Sequence, residues 1–541
     1  MTGEKSEAVA QGARWERFLR VAAIAVVIGF GAYITWINLQ NSDVTLGSKR
    51  TIDEYAFTFV LARMYEGFLS HNLRDMFNIT FFSYGYPYFF LQMLLTAPAQ
   101  ALQDYSAVLV IERSFSLIWS VLTMALVGWW IARRAGSWAY GLAAILLLAA
   151  MPGFVRMTTI VHPDTMMNFF VVAGFVAASC LDPLRRRNIL VVGLLCGLGA
   201  GAKIQIVIYV PFIALLVGLR FIARQGAITT RSSLQGLAVT SAVALMTPLV
   251  YLICNPFLVK GEGLQAFLDD FNSNMVSNAT NHFTYVLPAA ADKLAMFSQA
   301  FFPAVAIAVL SLILLLGILW RRFHLLRLMP ELLMLVCGLV TLLYIFLTVQ
   351  KTWDSYYVTT FTILVISLAA IAGHLIGSLR GARQAGLALV AMAALLMVWR
   401  LPPAAASAIV DESVEVRQSQ AILAVMAGVE ERMSSRRHIV SGNTAFQFQK
   451  LGLRFTQVAF IYTALDERQM SDADVIVIRK NDIYFDPLWL ERDDPRGVST
   501  RHGLDLINAM RSGTQPEFAL CGESAVILTF CRRSVYKVPL P

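Results

Sequence analysis

The chain has 541 residues, of which 57% are hydrophobic and 15% are charged. This composition excludes an ordinary soluble globular protein, and apolar runs repeat almost to residue 400. The formal charge of +9 does not indicate a nucleic-acid partner, because the basic residues cluster in short loops between apolar segments. The sequence therefore predicts a polytopic α-helical membrane protein whose partners include membrane lipids and no nucleic acid.

The N-terminal residues 1–20 are polar and basic, and a charge-free apolar run follows at 21–39. That run has the length of roughly 20 residues that a helix needs to cross the hydrocarbon core. The pattern is typical of an uncleaved signal anchor with a cytoplasmic N-terminus. Residues 40–106 then form a large, aromatic-rich first extracytoplasmic loop, with Asp53 and Glu54 near its start. Taken alone, Asp53 fits a helix N-cap as well as a functional carboxylate.

Within that loop, residues 88–102 are too short for a span and contain Pro98, which favours a re-entrant or interfacial helix. Without a crossing there, the arginine clusters of the later loops all fall on the cytoplasmic side, as the positive-inside rule expects. The apolar runs then predict about eleven spans, at 21–39, 107–131, 138–156, 166–182, 189–202, 204–222, 234–255, 298–320, 331–349, 357–377 and 385–400. An odd number of spans places residues 401–541 outside the cytoplasm. We expect a multi-pass protein of the bacterial inner membrane whose C-terminal domain is periplasmic.

The composition becomes more charged after Pro402 and Pro403. Residues 412–433 predict a helix, and runs at 438–440, 475–478, 525–529 and 535–538 predict strands. These elements indicate a small extracytoplasmic α/β domain over 401–541. Cys521 and Cys531 lie outside the apolar segments, so a disulfide between them is expected in an oxidising compartment.

On this topology, ionisable residues from four outer loops converge on one side of the membrane. They are Asp53 and Glu54, His162 and Asp164, Lys203 after a small-residue corner at 197–202, and Lys351 with Tyr356 and Tyr357. Each has a simple structural explanation: Lys203 could snorkel to headgroups, the small residues could only pack helices, and the tyrosines could form an aromatic belt. His162 before Pro163 is more typical of a helix start than of a metal ligand. Their convergence nevertheless favours a functional site.

These residues resemble the GT-C glycosyltransferases, in particular the branch of protein O-mannosyltransferases and lipid A aminoarabinose transferases. The likeness covers approximately residues 20–375, and it is carried by Asp53-Glu54, Arg113, Pro152, Asp164, the corner at 199–203, and Lys351 with Tyr356 and Tyr357. It implies a GT-C-like transmembrane domain over 21–400. It also implies an enzyme that moves a hexosyl or pentosyl group from a polyprenyl-phosphate-linked donor to an extracytoplasmic acceptor, such as an envelope lipid, polysaccharide or protein.

The resemblance also implies roles for individual residues. Asp53 would be the general base that activates the acceptor, and Glu54 and Asp164 would complete the catalytic site. Donor binding would fall to Arg113, Lys203 and Lys351 as cations, together with His162, Tyr84, Tyr86, Tyr356 and Tyr357. The sequence leaves a divalent metal possible and implies no other cofactor.

The chain departs from the aminoarabinose branch at two places. Ala56 stands where that branch has an arginine, and Tyr84-Gly85-Tyr86 replace a Glu-Lys pair, so the donor sugar and the acceptor are left open. Two other classes are also left open, a lipid-linked saccharide transporter or flippase and a non-catalytic subunit of an envelope-assembly machine. A transporter predicts charges within the spans or a two-fold repeat, and the sequence displays neither.

Overall fold

The structure is a computed structural model. It describes residues 2–41, 52–77, 79, 84–102, 104–226, 228–280, 287–301, 328–377, 382–406, 412–434, 439–442, 457–460, 470–471, 473–480 and 495–537. The chain divides into two compact units, one of residues 1–40 and 51–409 and one of residues 41–50 and 410–541. Each unit is described separately below.

The first unit consists of helices. Their bounds are α1 Thr2–Gln40, α2 Ile52–Leu69, α3 Leu73–Phe77, α4 Tyr86–Ala101, α5 Tyr105–Ala135, α6 Trp138–Ala149, α7 Pro152–Thr158, α8 Asp164–Cys180, α9 Arg186–Ala200, α10 Val210–Arg224, α11 Thr230–Cys254, α12 Gly261–Ala279, α13 Ala290–Ala300, α14 Met329–Thr348, α15 Val358–Gly377 and α16 Ala382–Ala406. Short 3-10 turns occupy Ile204–Ile208, Pro256–Val259 and Asp354–Tyr357.

Helix length and apolarity mark the membrane-crossing part of this unit. In the described part of the chain, 6 helices are long and apolar enough to cross a membrane, or up to 7 if the pair α6 and α7, bent by 73°, counts as one span. Helices α8, α9 and α10 have 17, 15 and 15 residues, short of the roughly 20 that a perpendicular span needs. The predicted span at 298–320 lies mostly outside the described residues. The count of about eleven spans therefore stays a prediction.

Local sequence signals set several of the helix ends. Asp104 caps α5 by accepting a hydrogen bond from the Ala107 amide, and the helix ends at Gly136, whose φ of 77° lies in the left-handed region. Ser137 then caps α6 through the Ala139 amide. Helix α4 has 16 residues with Pro98 in its interior, and its non-crossing placement stays a prediction.

The C-terminal unit holds a sheet between two helices. The strands are β1 Ile439–Gly442, β2 Gln457–Phe460, β3 Val475–Arg479, β4 Phe518–Glu523 and β5 Ile527–Arg532, and the helices are α17 Glu412–Glu431 and α18 Pro495–Arg511. The strand order is β2-β1-β3-β5-β4, with β1 parallel to its two neighbours and β5 antiparallel to both of its own. Alternation along β3 places Val475 and Val477 against α17, and Ile476 and Ile478 against α18.

Four outcomes of the sequence analysis fall in this unit. The structure joins Cys521 to Cys531 in a disulfide between the paired strands β4 and β5. The strand predicted at 535–538 is wrong over its described residues, because 535–537 form a turn in which Tyr536 makes an isolated bridge with Met433. Strands β2 and β4 and helix α18 were not predicted. Helix α17 begins at the predicted residue and ends two residues early.

Candidate functional site

The predicted site residues gather near one set of helix ends in the first unit. Asp164 is the first residue of α8, Lys203 lies between α9 and the turn that leads into α10, and Tyr356 lies in the turn before α15. Lys351 follows the end of α14 closely. Residues far apart in sequence are therefore brought to the same end of the helix bundle.

The first of two buried ion pairs joins Glu54 of α2 to Arg113 of α5. The guanidinium Nε and Nη2 donate to Glu54 Oε1 and Oε2, both at 3.1 Å, and both side chains have no exposure. The Val161 amide also donates to Glu54 Oε1 at 3.0 Å. Glu112, the chain neighbour of Arg113, accepts a hydrogen bond from the Thr58 hydroxyl at 2.9 Å. Glu54 thus ties α2 to α5 and to the segment before α8.

The second pair joins Asp164 to Lys203. Lys203 Nζ lies 2.7 Å from Asp164 Oδ1, and His162 Nδ1 lies 2.7 Å from Oδ2. All three residues are buried. Pro163 precedes the first turn of α8, so Asp164 also lies at the positive end of that helix. The Asp164 carboxylate therefore contacts the Lys203 ammonium and the His162 imidazole, and it lies at the start of α8.

Tyr84 approaches this pair through the backbone. It forms an isolated bridge with Lys203, the Gly85 amide donates to Ala202 O at 3.1 Å, and Lys203 Nζ lies 5.5 Å from the centre of the Tyr84 ring. A Cβ on Gly85 would lie 1.9 Å from Gly201 O, so glycine is required for this approach. The small-residue corner at 197–202 therefore permits close backbone contact with the segment that contains Gly85.

Lys351 and Tyr356 complete what we call the lysine–tyrosine cluster, which consists of Tyr84, Asp164, Lys203, Lys351 and Tyr356. The Tyr356 ring centre lies 5.4 Å from Lys203 Nζ and 5.8 Å from Lys351 Nζ, distances typical of cation–π contacts. Lys351 Nζ is also 3.5 Å from the Tyr356 hydroxyl, at the limit of hydrogen bonding. Lys203 and Lys351 are 6% and 3% exposed. Two ammonium groups therefore flank one tyrosine.

Three other predicted residues have different placements. Tyr357 is fully buried and packs against Phe297, with ring centres 4.6 Å apart, so it belongs to the interior and not to an aromatic belt. Tyr86 packs its ring against Phe77. Asp53 lies in the first turn of α2, and its side chain lies outside the part of the chain that the structure describes.

Two contacts that the site analysis of the sequence missed hold the cluster. The Tyr356 hydroxyl donates to Asn278 Oδ1 at 2.9 Å, and the Tyr86 amide donates to Asn255 Oδ1 at 2.8 Å. In addition, Arg156 Nη2 of α7 lies 2.6 Å from Asp354 Oδ2. Asn255 is a single asparagine in apolar sequence and Asn278 is one of several asparagines in a polar stretch, so neither has a periodic or motif signal that could have marked it.

The charges of the cluster suit an anionic ligand. Asp164 offsets one lysine, and Lys351 adds a second positive charge at the same tyrosine ring. Buried cations act over a low local dielectric, where they stabilise phosphate more strongly than they would in water. In the described part of the chain, no group of three or more His, Cys, Asp or Glu residues could hold a metal ion.

Comparisons with known proteins bear on the fold. The chain is similar to ArnT from Cupriavidus metallidurans bound to undecaprenyl phosphate, with a TM-score of 0.55, 11% identity, and coverage of 94% of this chain and 97% of that one. It is also similar to the apo state of the same ArnT, with a TM-score of 0.49, 12% identity, and coverage of 94% and 98%. No family model and no curated protein matches the sequence.

At this level of identity the likeness shows the fold. The chain has the fold of ArnT, a GT-C fold, over most of its length. The fold resemblance expected from the short motifs of the sequence is therefore confirmed.

Proposed function

We propose that the protein is a membrane glycosyltransferase that takes a sugar from a polyprenyl-phosphate-linked donor. The observation that carries the proposal is the lysine–tyrosine cluster, in which two buried ammonium groups and one carboxylate meet at a single tyrosine ring. Such a cluster suits a phosphate that leaves from an anomeric carbon, because its negative charge grows as the bond breaks. The ArnT fold, seen with undecaprenyl phosphate in the Cupriavidus protein, supports a polyprenyl-linked donor.

We assign the roles as follows. Lys351 and Lys203 hold the donor phosphate, Asp164 positions Lys203, and Tyr356 aligns the two lysines. Glu54 and Arg113 position α2 against α5 and do not touch the substrate, since each is fully buried and engaged with the other. Asp53 is one residue from Glu54 on the same helix, so the buried pair fixes the backbone from which a general base would act.

The decisive experiment measures transfer in envelopes and with purified protein. Cells with and without the protein are compared by mass analysis of their glycans and lipids, and the sugar that disappears identifies the donor. The purified Asp53→Asn variant should then lose roughly 10² to 10⁴-fold in turnover, as expected for removal of a general base. Binding of undecaprenyl phosphate should be unchanged, because Asp53 is not assigned to the phosphate.

Asp104→Asn is the matched control. Asp104 is an N-cap of known geometry, and asparagine caps as well as aspartate, so this variant should transfer normally. If Asp53 were only a cap, both variants would behave alike. Near-normal transfer by Asp53→Asn would remove Asp53 from the catalytic role.

The same experiment separates the other two classes. A flippase would change the side on which the lipid-linked saccharide accumulates but would not form a new glycosidic bond. An assembly subunit would be needed in cells, yet the purified protein would form no product. Product formed by purified protein from a lipid-linked donor therefore excludes both.

We further propose that the cluster and the C-terminal unit are extracytoplasmic, in a bacterial inner membrane. Single cysteines at Ser48 and Ser471 should both react with a membrane-impermeant thiol reagent in intact cells from which the outer membrane barrier has been removed. A cysteine at Ser137, which lies between α5 and α6, should stay unlabelled. Labelling of only one of the Ser48 and Ser471 cysteines, or labelling of the Ser137 cysteine, would overturn this topology.

A further inference from the structure

A second basic site lies at the opposite helix ends from the lysine–tyrosine cluster. Arg134, Arg220 and Arg224 line a cavity of about 330 Å³ together with Ser179 and Pro330. Helix α8 begins at Asp164 and α10 begins shortly after Lys203, and both line this cavity near their ends, whereas α14 begins at the cavity and ends near Lys351. The two sites are therefore separated by the length of the helix bundle.

Two of the three arginines are fixed by neighbouring helices. Arg134 Nε and Nη2 donate to Glu331 Oε1 at 2.5 Å and to Oε2 at 3.0 Å. Arg220 donates to the carbonyl oxygens of Ala178 and Leu181 at the end of α8. These contacts orient the guanidinium groups without neutralising Arg220, because carbonyl oxygens carry no net charge. The positions of both groups are thus set before any ligand arrives.

Arg224 differs from the other two. It is exposed, and among the described residues no carboxylate lies within ion-pair distance of it. Arg134 and Arg224 both repel the charge of Arg220, and Asp182 offsets part of that repulsion. Three guanidinium groups around one cavity, with Glu331 and Asp182 as the acidic neighbours, leave an excess of positive charge.

We propose that this cavity binds a phosphate group at the membrane face opposite the lysine–tyrosine cluster. Arginine presents several donors in a planar fork that matches phosphate oxygens, which makes it the residue of choice for such a ligand. The cavity volume falls within the roughly 300–1,000 Å³ of small-ligand sites. A basic cavity between helices at a membrane face suits a phosphate-bearing lipid headgroup, and free phosphate has the same chemistry.

The alternative is that these arginines only follow the positive-inside rule and meet headgroups non-specifically. A built site differs from that in two measurable ways, because its binding saturates at one equivalent and depends on particular arginines. Arg231 supplies the comparison, since it is exposed at the start of α11 and does not line the cavity.

The test is a titration of the purified full chain in detergent, followed by native mass spectrometry. All proteins carry Lys351→Gln, so that the proposed donor site contributes less binding. The probes are dioctanoyl phosphatidic acid, dioctanoyl phosphatidylcholine and inorganic phosphate. We expect one saturable equivalent of phosphatidic acid, about tenfold weaker binding when Arg224→Gln removes one charge-assisted contact, and no change with Arg231→Gln.

A further variant, a folding control and a competition with inorganic phosphate separate the possible outcomes. Arg224→Lys keeps the charge but loses the planar fork, so its binding should lie between that of the parent protein and that of Arg224→Gln. A circular dichroism melting curve of each variant establishes that it is folded. Inorganic phosphate that competes at millimolar concentration identifies free phosphate as a ligand, whereas lack of competition identifies the lipid headgroup. Equal binding by Arg224→Gln and Arg231→Gln, or equal binding of phosphatidylcholine and phosphatidic acid, would overturn the proposal.

Discussion

Two buried ion pairs lie in the same helical unit, yet their surroundings differ. Glu54 and Arg113 meet through two parallel hydrogen bonds and have no exposure, and an amide adds a third contact to the carboxylate. Asp164 and Lys203 meet through one ammonium, beside His162, two tyrosine rings and a second lysine. The first pair is closed on itself, whereas the second is part of a larger cluster with excess positive charge.

The difference shows why charge burial alone does not identify a site. A closed bidentate pair compensates both charges, so it fixes the helices it joins and offers nothing to a ligand. The lysine–tyrosine cluster, in contrast, brings two ammonium groups to one carboxylate, an arrangement that suits a further anion. The distinguishing feature is thus the balance of charge, which can be changed by substitutions in the Glu54–Arg113 pair and in the lysine–tyrosine cluster.

The largest expected effect comes from opening the closed pair. Arg113→Met leaves the Glu54 carboxylate buried without its cation, and breaking a buried pair in this way typically costs about 3 to 5 kcal/mol. We expect the purified variant to unfold at a much lower temperature or to fail to accumulate. The measurement is the melting midpoint, followed by circular dichroism in detergent.

A double variant supplies the control for this prediction. Glu54→Leu with Arg113→Met removes both charges and keeps comparable volume, so much of the stability should return, although the Val161 amide loses its acceptor. If Arg113 instead bound the donor phosphate, the double variant would be folded and would bind undecaprenyl phosphate poorly. Normal binding by the double variant supports the positioning role.

The sequence predicted the members of both pairs but not their pairing. Arg113 and Glu112 are neighbours in the chain, yet consecutive helical residues point about 100° apart, so Arg113 reaches Glu54 and Glu112 reaches Thr58. Pairing depends on how α2 packs against α5, which no local pattern encodes. That ionisable residues of several loops would meet at one end of the helix bundle, in contrast, was expected from apolar length and arginine placement, and these are properties of short segments.

The adjacent tyrosines show the same limit. Tyr356 contacts Lys203 and Lys351 while Tyr357 packs against Phe297, because the turn at Asp354–Tyr357 sends neighbouring side chains in different directions. The sequence treated the two tyrosines as equivalent.

In the C-terminal unit, β3 was predictable from its apolar run of β-branched residues. Strand β4, in contrast, contains Gly522 and has a register shift beside Cys521, so it lacks a regular alternation.

The second prediction concerns the backbone that brings Tyr84 to Lys203. Gly85→Ala would place a Cβ against the Gly201 carbonyl, and overpacking of this kind costs about 1 to 3 kcal/mol and sometimes more. We expect a lower melting midpoint together with weaker undecaprenyl phosphate binding. Gly29→Ala is the control, since nothing lies within 4 Å of its added Cβ, and it should lower neither quantity. A Gly85→Ala protein that is indistinguishable from the control would exclude the close approach.

The third prediction tests the excess charge of the cluster. Lys351→Gln removes the second ammonium and leaves the Asp164–Lys203 pair intact, so stability should change little. A hydrogen bond to a charged group contributes about 1.5 to 3 kcal/mol, so undecaprenyl phosphate should bind at least about tenfold more weakly. Lys260→Gln, at an exposed lysine before α12, should bind normally. Unchanged binding by Lys351→Gln would remove the cluster from donor recognition.

The smallest expected effect separates the ring of Tyr356 from its hydroxyl. Tyr356→Phe keeps the aromatic face near both lysines but removes the hydroxyl that contacts Asn278 and lies near Lys351. Since a neutral hydrogen bond contributes about 0.5 to 1.5 kcal/mol net, undecaprenyl phosphate binding should weaken by less than about tenfold. Tyr356→Leu removes the cation–π contacts as well and should weaken binding further. Equal losses in the two variants would mean that the hydroxyl alone aligns the lysines, and the ring would then have no part in compensating the cluster.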